Sequence, residues 1–320
     1  MRRSLSERLH GHLWTFFPYA ASVVRPPRVV SGDPFEATVE DPQYGALTLR
    51  GELIRRDPAR LVVILHGLGG SSDSRYVIDA ANTAADLGLS ALRANMRGAD
   101  RSGEDVYHAG LADDVRAILS SPALSGYSHI YLLGFSMGGH ILLRWATEPG
   151  RDPRVRALAA VCSPLDLSFG AFEIQRPMGR PYQWHVLRGL KESYAAIAGR
   201  RPTPVPVDEA LAISTILEWD ERIVVPRFGF DSRAHYYASM SAGPRLDRVG
   251  VPSLFVAAEN DPIVSAAQVR HWLVRPNQPV EVAWTTRGGH VAFPRDLRLV
   301  GEHPGHVDAQ ILAWLLQRGG

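Results

Sequence analysis

No stretch of this chain constrains its fold as strongly as the one that runs from Ile130 to about Ala146. Ile130–Leu133 is a short apolar run of the kind that fills a strand buried on both faces. Gly134-Phe135-Ser136-Met137-Gly138-Gly139 follows it and opens a helical run. A G-x-S-x-G sequence between a buried strand and a helix is the context of a nucleophile elbow. The turn must be sharp, so that the serine Oγ projects above the sheet. The flanking glycines let strand and helix approach closely, and the helix N-terminus favours a developing negative charge.

The rest of the chain agrees with a parallel sheet. Arg60–Leu65 is a β-branched apolar run, Asp73–Leu87 has helical spacing, and Leu89–Asn95 reads as a strand. Ala112–Leu119 reads as a helix with Asp113 and Asp114 near its start, and Val155–Val161 as a strand. The alternation breaks from about Pro164 to Arg248, a region of amphipathic stretches and the proline cluster Arg201–Pro206. It resumes with a strand at Ser253–Ala258, a helix at Ala266–Leu273, a strand at Val280–Trp284 and a helix at Val307–Leu316. Strand and helix in alternation predict an α/β fold: a mostly parallel, doubly wound sheet. The interruption predicts a helical cap inserted over the carboxyl ends of the strands. The expected organisation is a core domain of residues 1–163 and 249–320 with a cap at 164–248. Gly45–Ile54 alternates as an early strand, and everything before residue 45 reads as an irregular segment packed on the body.

Composition excludes several classes. The 320 residues carry a net charge of only +2, and Lys191 is the only lysine, so the positive charge is scattered arginine interleaved with acids. No basic stripe points to nucleic acid. The single cysteine, Cys162, follows an apolar run, cannot form an internal disulfide and reads as a small buried hydrophobe. The stretch near Leu13–Val24 is interrupted by Pro18 and lacks a clear cleavage site, so no signal peptide is expected. No run reaches the roughly 18 apolar residues of a membrane span. A cytoplasmic location is the corresponding expectation.

Three more motifs complete the chemistry. His66-Gly67-Leu68-Gly69-Gly70 ends the strand Arg60–Leu65. Acyl transfer passes through a charged tetrahedral oxygen that two backbone N–H groups hold. The expected donors are Met137, next to the nucleophile, and Leu68 of this loop. His66 itself reads as structural. Asn260-Asp261-Pro262 and Gly288-Gly289-His290 lie just past two later strands, where doubly wound sheets place ligands. In the order Ser136, Asp261, His290 these residues form a nucleophile, an orienting acid and a general base. Asp166, past the preceding strand, is the rival acid.

These motifs resemble the α/β-hydrolase superfamily. Within it the chain is similar to the YheT-like branch of predicted serine esterases and lipases. The branch resemblance lies in His12-Leu13-Trp14-Thr15, with Trp14 where glutamine is common, and in Asn95–Gly98 and Tyr107–Gly110. It continues in Gly134–His140, Tyr236-Tyr237, Glu259–Pro262 and Gly288–Phe293. The resemblance implies an esterase-type activity with no metal and no organic cofactor, and an N-terminal segment that belongs to the mature fold.

The remaining features have plainer readings. Tyr107-His108 could line a site or be structural, and His303 and His306 lack further partners for a metal and read as a helix start. Trp145, Trp272, Trp284 and Trp314 read as core. The cap aromatics Phe169, Phe172, Tyr182, Trp184, Tyr194, Trp219, Phe228 and Phe230 suit either an acyl pocket or the cap's own core. The expected function is hydrolysis of a small ester, with an apolar acyl group, through an acyl-enzyme on Ser136. Thioesterases, acyltransferases and peptidases use the same triad, and a non-catalytic binding protein can share the fold. A serine at the elbow argues against chemistry that needs an aspartate nucleophile there.

Overall fold

The runs expected to be buried on both faces become the middle of a single eight-stranded sheet. The computed structural model describes residues 11–15, 27–275, 279–300 and 305–320. The strands are β1 (Asp33–Asp41), β2 (Gly45–Ile54), β3 (Arg60–Leu65), β4 (Ser90–Ala94), β5 (His129–Phe135), β6 (Val155–Val161), β7 (Ser253–Ala258) and β8 (Val280–Thr285). They lie in the order β1-β2-β4-β3-β5-β6-β7-β8. All neighbours from β4 to β8 are parallel, while β1 and β2 form an antiparallel edge. The fold class is therefore as expected, and strand boundaries match to within about two residues.

Side-chain alternation builds one apolar layer on each face. Leu61, Val63 and Leu65 of β3 join the layer containing Val115, Ile118 and Leu142. Val62 and Ile64 point the other way, onto Val77, Ala80, Ala81 and Ala84 of the helix Arg75–Asp86 and Ile311 and Leu312 of the helix Val307–Gly319. Small alanines at the first of these helices let it lie close to the sheet.

One expectation fails. The segment before residue 45 is not irregular throughout, because Asp33–Asp41 forms the edge strand β1. Its buried residues Phe35, Ala37 and Val39 alternate with Glu36, Thr38 and Glu40, a half-buried pattern that Pro34 and the acids obscure in the sequence. Proline is tolerated there because an edge strand leaves one side unpaired.

The broken alternation between β6 and β7 is helical, as expected. It comprises Leu167–Glu173, Arg180–Ala198, Val207–Ala212, Ile216–Trp219, a π-helical turn at Asp220–Val224, Val225–Phe228 and Arg233–Met240. A buried ionic network ties this segment to the sheet. Arg97 donates to Asp114, Asp105 and Asp41, and Arg227 bridges the same Asp105 at 2.6 Å and Asp41 at 2.8 Å. Sharing two carboxylates between two guanidinium groups lets each buried charge find an opposite one, the condition under which such charges are tolerated. Among the described residues no helix is long and apolar enough to cross a membrane.

Candidate active site

Ser136 stands at the junction of β5 and the helix Met137–Ala146, with φ 51° and ψ −120°. Such a backbone costs a non-glycine residue on the order of 1–3 kcal/mol, so the surroundings must hold it. Ser136 N–H donates to Val161 O at 2.8 Å, and Ser136 O accepts from His140 N–H at 3.1 Å. The glycines are required by close approach. A Cβ on Gly134 would sit 2.4 Å from Gly139 N, and one on Gly138 would sit 2.5 Å from Leu65 O. The elbow expected from the sequence is therefore formed, with Ser136 at the rim of a cavity.

The loop after β3 closes against it: a Cβ on Gly67 would lie 3.1 Å from Ser136 Cβ. Two tyrosine hydroxyls hold this loop. Gly67 N–H donates to Tyr76 Oη at 2.9 Å, and Gly69 N–H to Tyr107 Oη at 2.7 Å. Gly70 N–H is used by Gly67 O. Among the described residues this leaves the Leu68 N–H without an acceptor. The Met137 N–H is in the first helical turn, where no intrahelical acceptor exists. The Leu68 and Met137 amides both border the cavity that Ser136 lines. Sequence reasoning missed the tyrosine clamps, because neither lies within the loop it holds.

Asp261 and His290 come together from the ends of β7 and β8. His290 Nδ1 and Asp261 Oδ2 are 2.9 Å apart, with the carboxylate buried and the imidazole largely so. The other carboxylate oxygen accepts from Ile263 N–H at 2.8 Å and Val264 N–H at 2.9 Å. Those amides fix the carboxylate, the carboxylate fixes Nδ1, and Nε2 remains for other chemistry. His290 lines the same cavity as Ser136, Leu68 and Met137.

The short helical turn at residues 11–15 packs on these two loops. His290 N–H donates to Thr15 Oγ1 at 2.9 Å, and the Thr15 hydroxyl donates to Gly11 O at 2.8 Å. His12 Nδ1 meets Tyr182 Oη at 2.7 Å. A Cβ on Gly289 would lie 2.4 Å from Gly11 O, so the glycine before His290 is needed for this contact. Thr15 is thus a positioning residue absent from the sequence-based site. Thr15→Val removes both hydrogen bonds of the hydroxyl and is expected to lower kcat about tenfold, with a fall in melting temperature of a few degrees. Thr15→Ser should restore the rate, and steady-state kinetics of the two variants checks this.

The rival acid is otherwise employed. Asp166 caps the helix Leu167–Glu173, its Oδ1 accepting from Phe169 N–H at 2.9 Å. Asp166→Ala should therefore cost roughly 0.5–2 kcal/mol of stability and leave kcat unchanged, as thermal melting and kinetics would register. His66 is structural as expected: burial lowers its pKa to about 4, Nε2 accepts from Met96 N–H, and Nδ1 meets Gly67 O. Cys162 is a buried core residue, as expected. At φ 50° it lies against the acid–histidine pair, its thiol 3.8 Å from Gly289 O and pushed well up in pKa by burial.

Other expectations divide. Trp145 and Trp314 are core, whereas Trp272 and Trp284 are half-buried beneath Arg275 and Arg270. Tyr182, Trp184 and Trp219 line the cavity, Tyr194 is core, and Phe169 and Phe172 are exposed. Tyr107 and His108 both face the cavity. His306 precedes the last helix and lies 3.5 Å from Asp308, while His303 is outside the described residues.

The cavity has a volume of about 1720 Å³ and runs from the elbow under the helical segment. Over residues 60–293, from β3 through the loop bearing His290, the chain matches the family model of the alpha/beta hydrolase fold. The chain belongs to the α/β-hydrolase family. YheT of Escherichia coli strain K12 is 29% identical to this α/β hydrolase over 240 residues, 72% of this chain and 70% of YheT. Human phospholipase ABHD3 is 24% identical over 72% of this chain, and the monoacylglycerol lipase of Saccharomyces cerevisiae is 26% identical over 75%. The match spans only 58% and 56% of those two proteins. Among solved structures, the Pyrococcus furiosus esterase Pf2001 superposes with a TM-score of 0.52 at 18% identity, covering 83% of this chain and 91% of its own. The 2,6-dihydroxy-pseudo-oxynicotine hydrolase does so with 0.55 at 16%, covering 95% and 72%. At those identities the likeness is one of fold.

Proposed function

We propose that this α/β hydrolase cleaves carboxylic esters through an acyl-enzyme on Ser136. The observation that carries the reading is the His290–Asp261 pair at 2.9 Å in the cavity that also holds the strained Ser136. Ser136 Oγ attacks the ester carbonyl carbon as its proton passes to His290 Nε2. The oxygen becomes an oxyanion held by Leu68 and Met137 N–H. Collapse breaks the bond to the leaving alkoxide, which takes the proton from His290. Water, deprotonated by the same nitrogen, then attacks the acyl-enzyme, and its collapse returns the proton to Ser136. Asp261 keeps Nδ1 protonated and stabilises the imidazolium formed twice per cycle.

In this reading residues 1–163 and 249–320 form the core domain, and 164–248 form a cap that shapes the substrate site. Leu167, Ala171, Ile174, Leu190, Ile216 and Trp219 give the cavity an apolar lining suited to an acyl chain. The lipase and phospholipase names among the relatives support a small ester as substrate. A cytoplasmic setting belongs to the same proposal. Hydrolysis of p-nitrophenyl esters from short to long chains tests it. Turnover with a chain-length optimum is expected, and a folded protein that neither turns over any of the esters nor reacts with a fluorophosphonate would overturn it.

A further inference from the structure

The cap end of the cavity is not wholly apolar, and its polar groups have no part in the triad chemistry. Asp220 lines the cavity at only 8% exposure, on the first residue of the π-helical turn. Such turns are rare and often mark functional sites. One carboxyl oxygen accepts from Tyr237 Oη at 2.6 Å. No ion pair serves Asp220 among the described residues. Arg233 reaches it only through space, since its guanidinium donates to Leu217 O at 3.0 Å and pairs with Glu221 at 3.5 Å. Burial raises the Asp220 pKa to about 7.

Two donors line the same cavity. Tyr236 follows Asp220 through Tyr237, with the two phenol rings 5.2 Å apart. Its oxygen accepts from Ala109 N–H at 3.0 Å, and its own proton has no acceptor among the described residues. His108, 7% exposed, packs its ring 5.6 Å from that of Tyr236 and also lines the cavity. His108 Nδ1 accepts from Gly110 N–H at 3.1 Å, and burial, reinforced by Arg97, Arg144 and Arg227, keeps the ring neutral with a pKa near 3. The ring proton is therefore on Nε2, which has no partner among the described residues. Backbone amides have fixed both donors in advance.

We propose that Asp220, Tyr236 and His108 form a subsite for a hydroxyl group carried on the chain of the ester substrate. The inference rests on the ester-hydrolase reading above and names a substrate class within it: hydroxylated esters. A hydroxyl donates to Asp220 and accepts from Tyr236 Oη–H or His108 Nε2–H, so it satisfies groups of both kinds. An ammonium group would meet two donor ends, and a carboxylate would meet Asp220. A bare alkyl chain offers nothing to the second Asp220 oxygen, to the Tyr236 proton or to His108 Nε2–H.

The test is calorimetric binding of methyl octanoate and of its 3-hydroxy and 8-hydroxy counterparts to Ser136→Ala protein. Binding needs no turnover there, so it is read separately from the esterase proposal, which wild-type hydrolysis judges. At least one hydroxylated ester should bind about tenfold or more tighter than the plain ester. Adding Asp220→Asn, which keeps an acceptor and a donor, should retain the preference, and Asp220→Leu should abolish or reverse it. Equal or weaker binding of both hydroxylated esters overturns the proposal without any change at Asp220. So does a preference that survives Asp220→Leu, or tighter binding of the 8-trimethylammonium ester than of either hydroxylated one.

Discussion

Ser136→Ala is expected to abolish ester turnover while the protein still folds. The expected loss in kcat is about five to six orders of magnitude, the scale seen when a triad nucleophile is removed. The Ser136 side chain is only partly buried, and the elbow is held by main-chain hydrogen bonds to Val161 and His140 that alanine keeps. A methyl group has no proton to give and no lone pair to attack with, so only binding and oxyanion donors remain. Their residual effect must be separated from background hydrolysis by measuring the rate against enzyme concentration. Unchanged melting with lost turnover is the expected pair of results. Retained activity would remove Ser136 from the mechanism.

Asp261→Asn is expected to lower kcat by about four orders of magnitude. The variant keeps the shape of the side chain, so the effect is electronic and tautomeric. Both roles of the present carboxylate would be damaged. One oxygen accepts from His290 Nδ1–H, and the other accepts from the amides of Ile263 and Val264. An asparagine that keeps its oxygen on the two amides turns its NH₂ toward Nδ1. The imidazole then carries its proton on Nε2, the nitrogen that must receive one from Ser136. The imidazolium also loses its counter-charge. Side-by-side kinetics with Asp166→Ala makes the assignment, because Asp166 is committed to a helix cap. A large loss at Asp166 with a small one at Asp261 would reverse it.

The legible part of this structure is the part with local signatures. Runs such as Arg60–Leu65 and Val155–Val161 are apolar because both faces of the strand are covered, and that fact is written in consecutive residues. The elbow is legible because close approach admits only glycine at Gly134 and Gly138. The order Ser136, Asp261, His290 follows once the strands that carry them are known. What was not legible depends on partners distant in sequence. Thr15 reaches the main chain of His290 across 275 positions, and the motif His12–Thr15 marks a resemblance without giving Thr15 a role. No local pattern puts the hydroxyls of Tyr76 and Tyr107 on the amides of Gly67 and Gly69, nine and 38 positions away. The strand β1 was hidden because only every second residue is apolar and the set is small. Asp220 sits in a region where short helices give no clear period, so neither its burial nor its link to Tyr237 could be inferred.

The same contrast explains why the division of the cavity's aromatics was undecided. An aromatic side chain in a cap helix suits a core and a cavity wall equally well, and the sequence does not separate the two. Packing decides: Tyr194 is filled in on all sides, whereas Tyr182 and Trp219 border open space.

The most direct measurement is to trap the acyl-enzyme. Protein mixed with excess p-nitrophenyl ester and quenched in acid within the first turnovers would be digested and analysed by mass spectrometry. The peptide containing Ser136 should carry the mass of the acyl group. Turnover by wild type with acylation at another residue, or with no adduct under conditions that trap a known serine esterase, would contradict nucleophilic catalysis by Ser136.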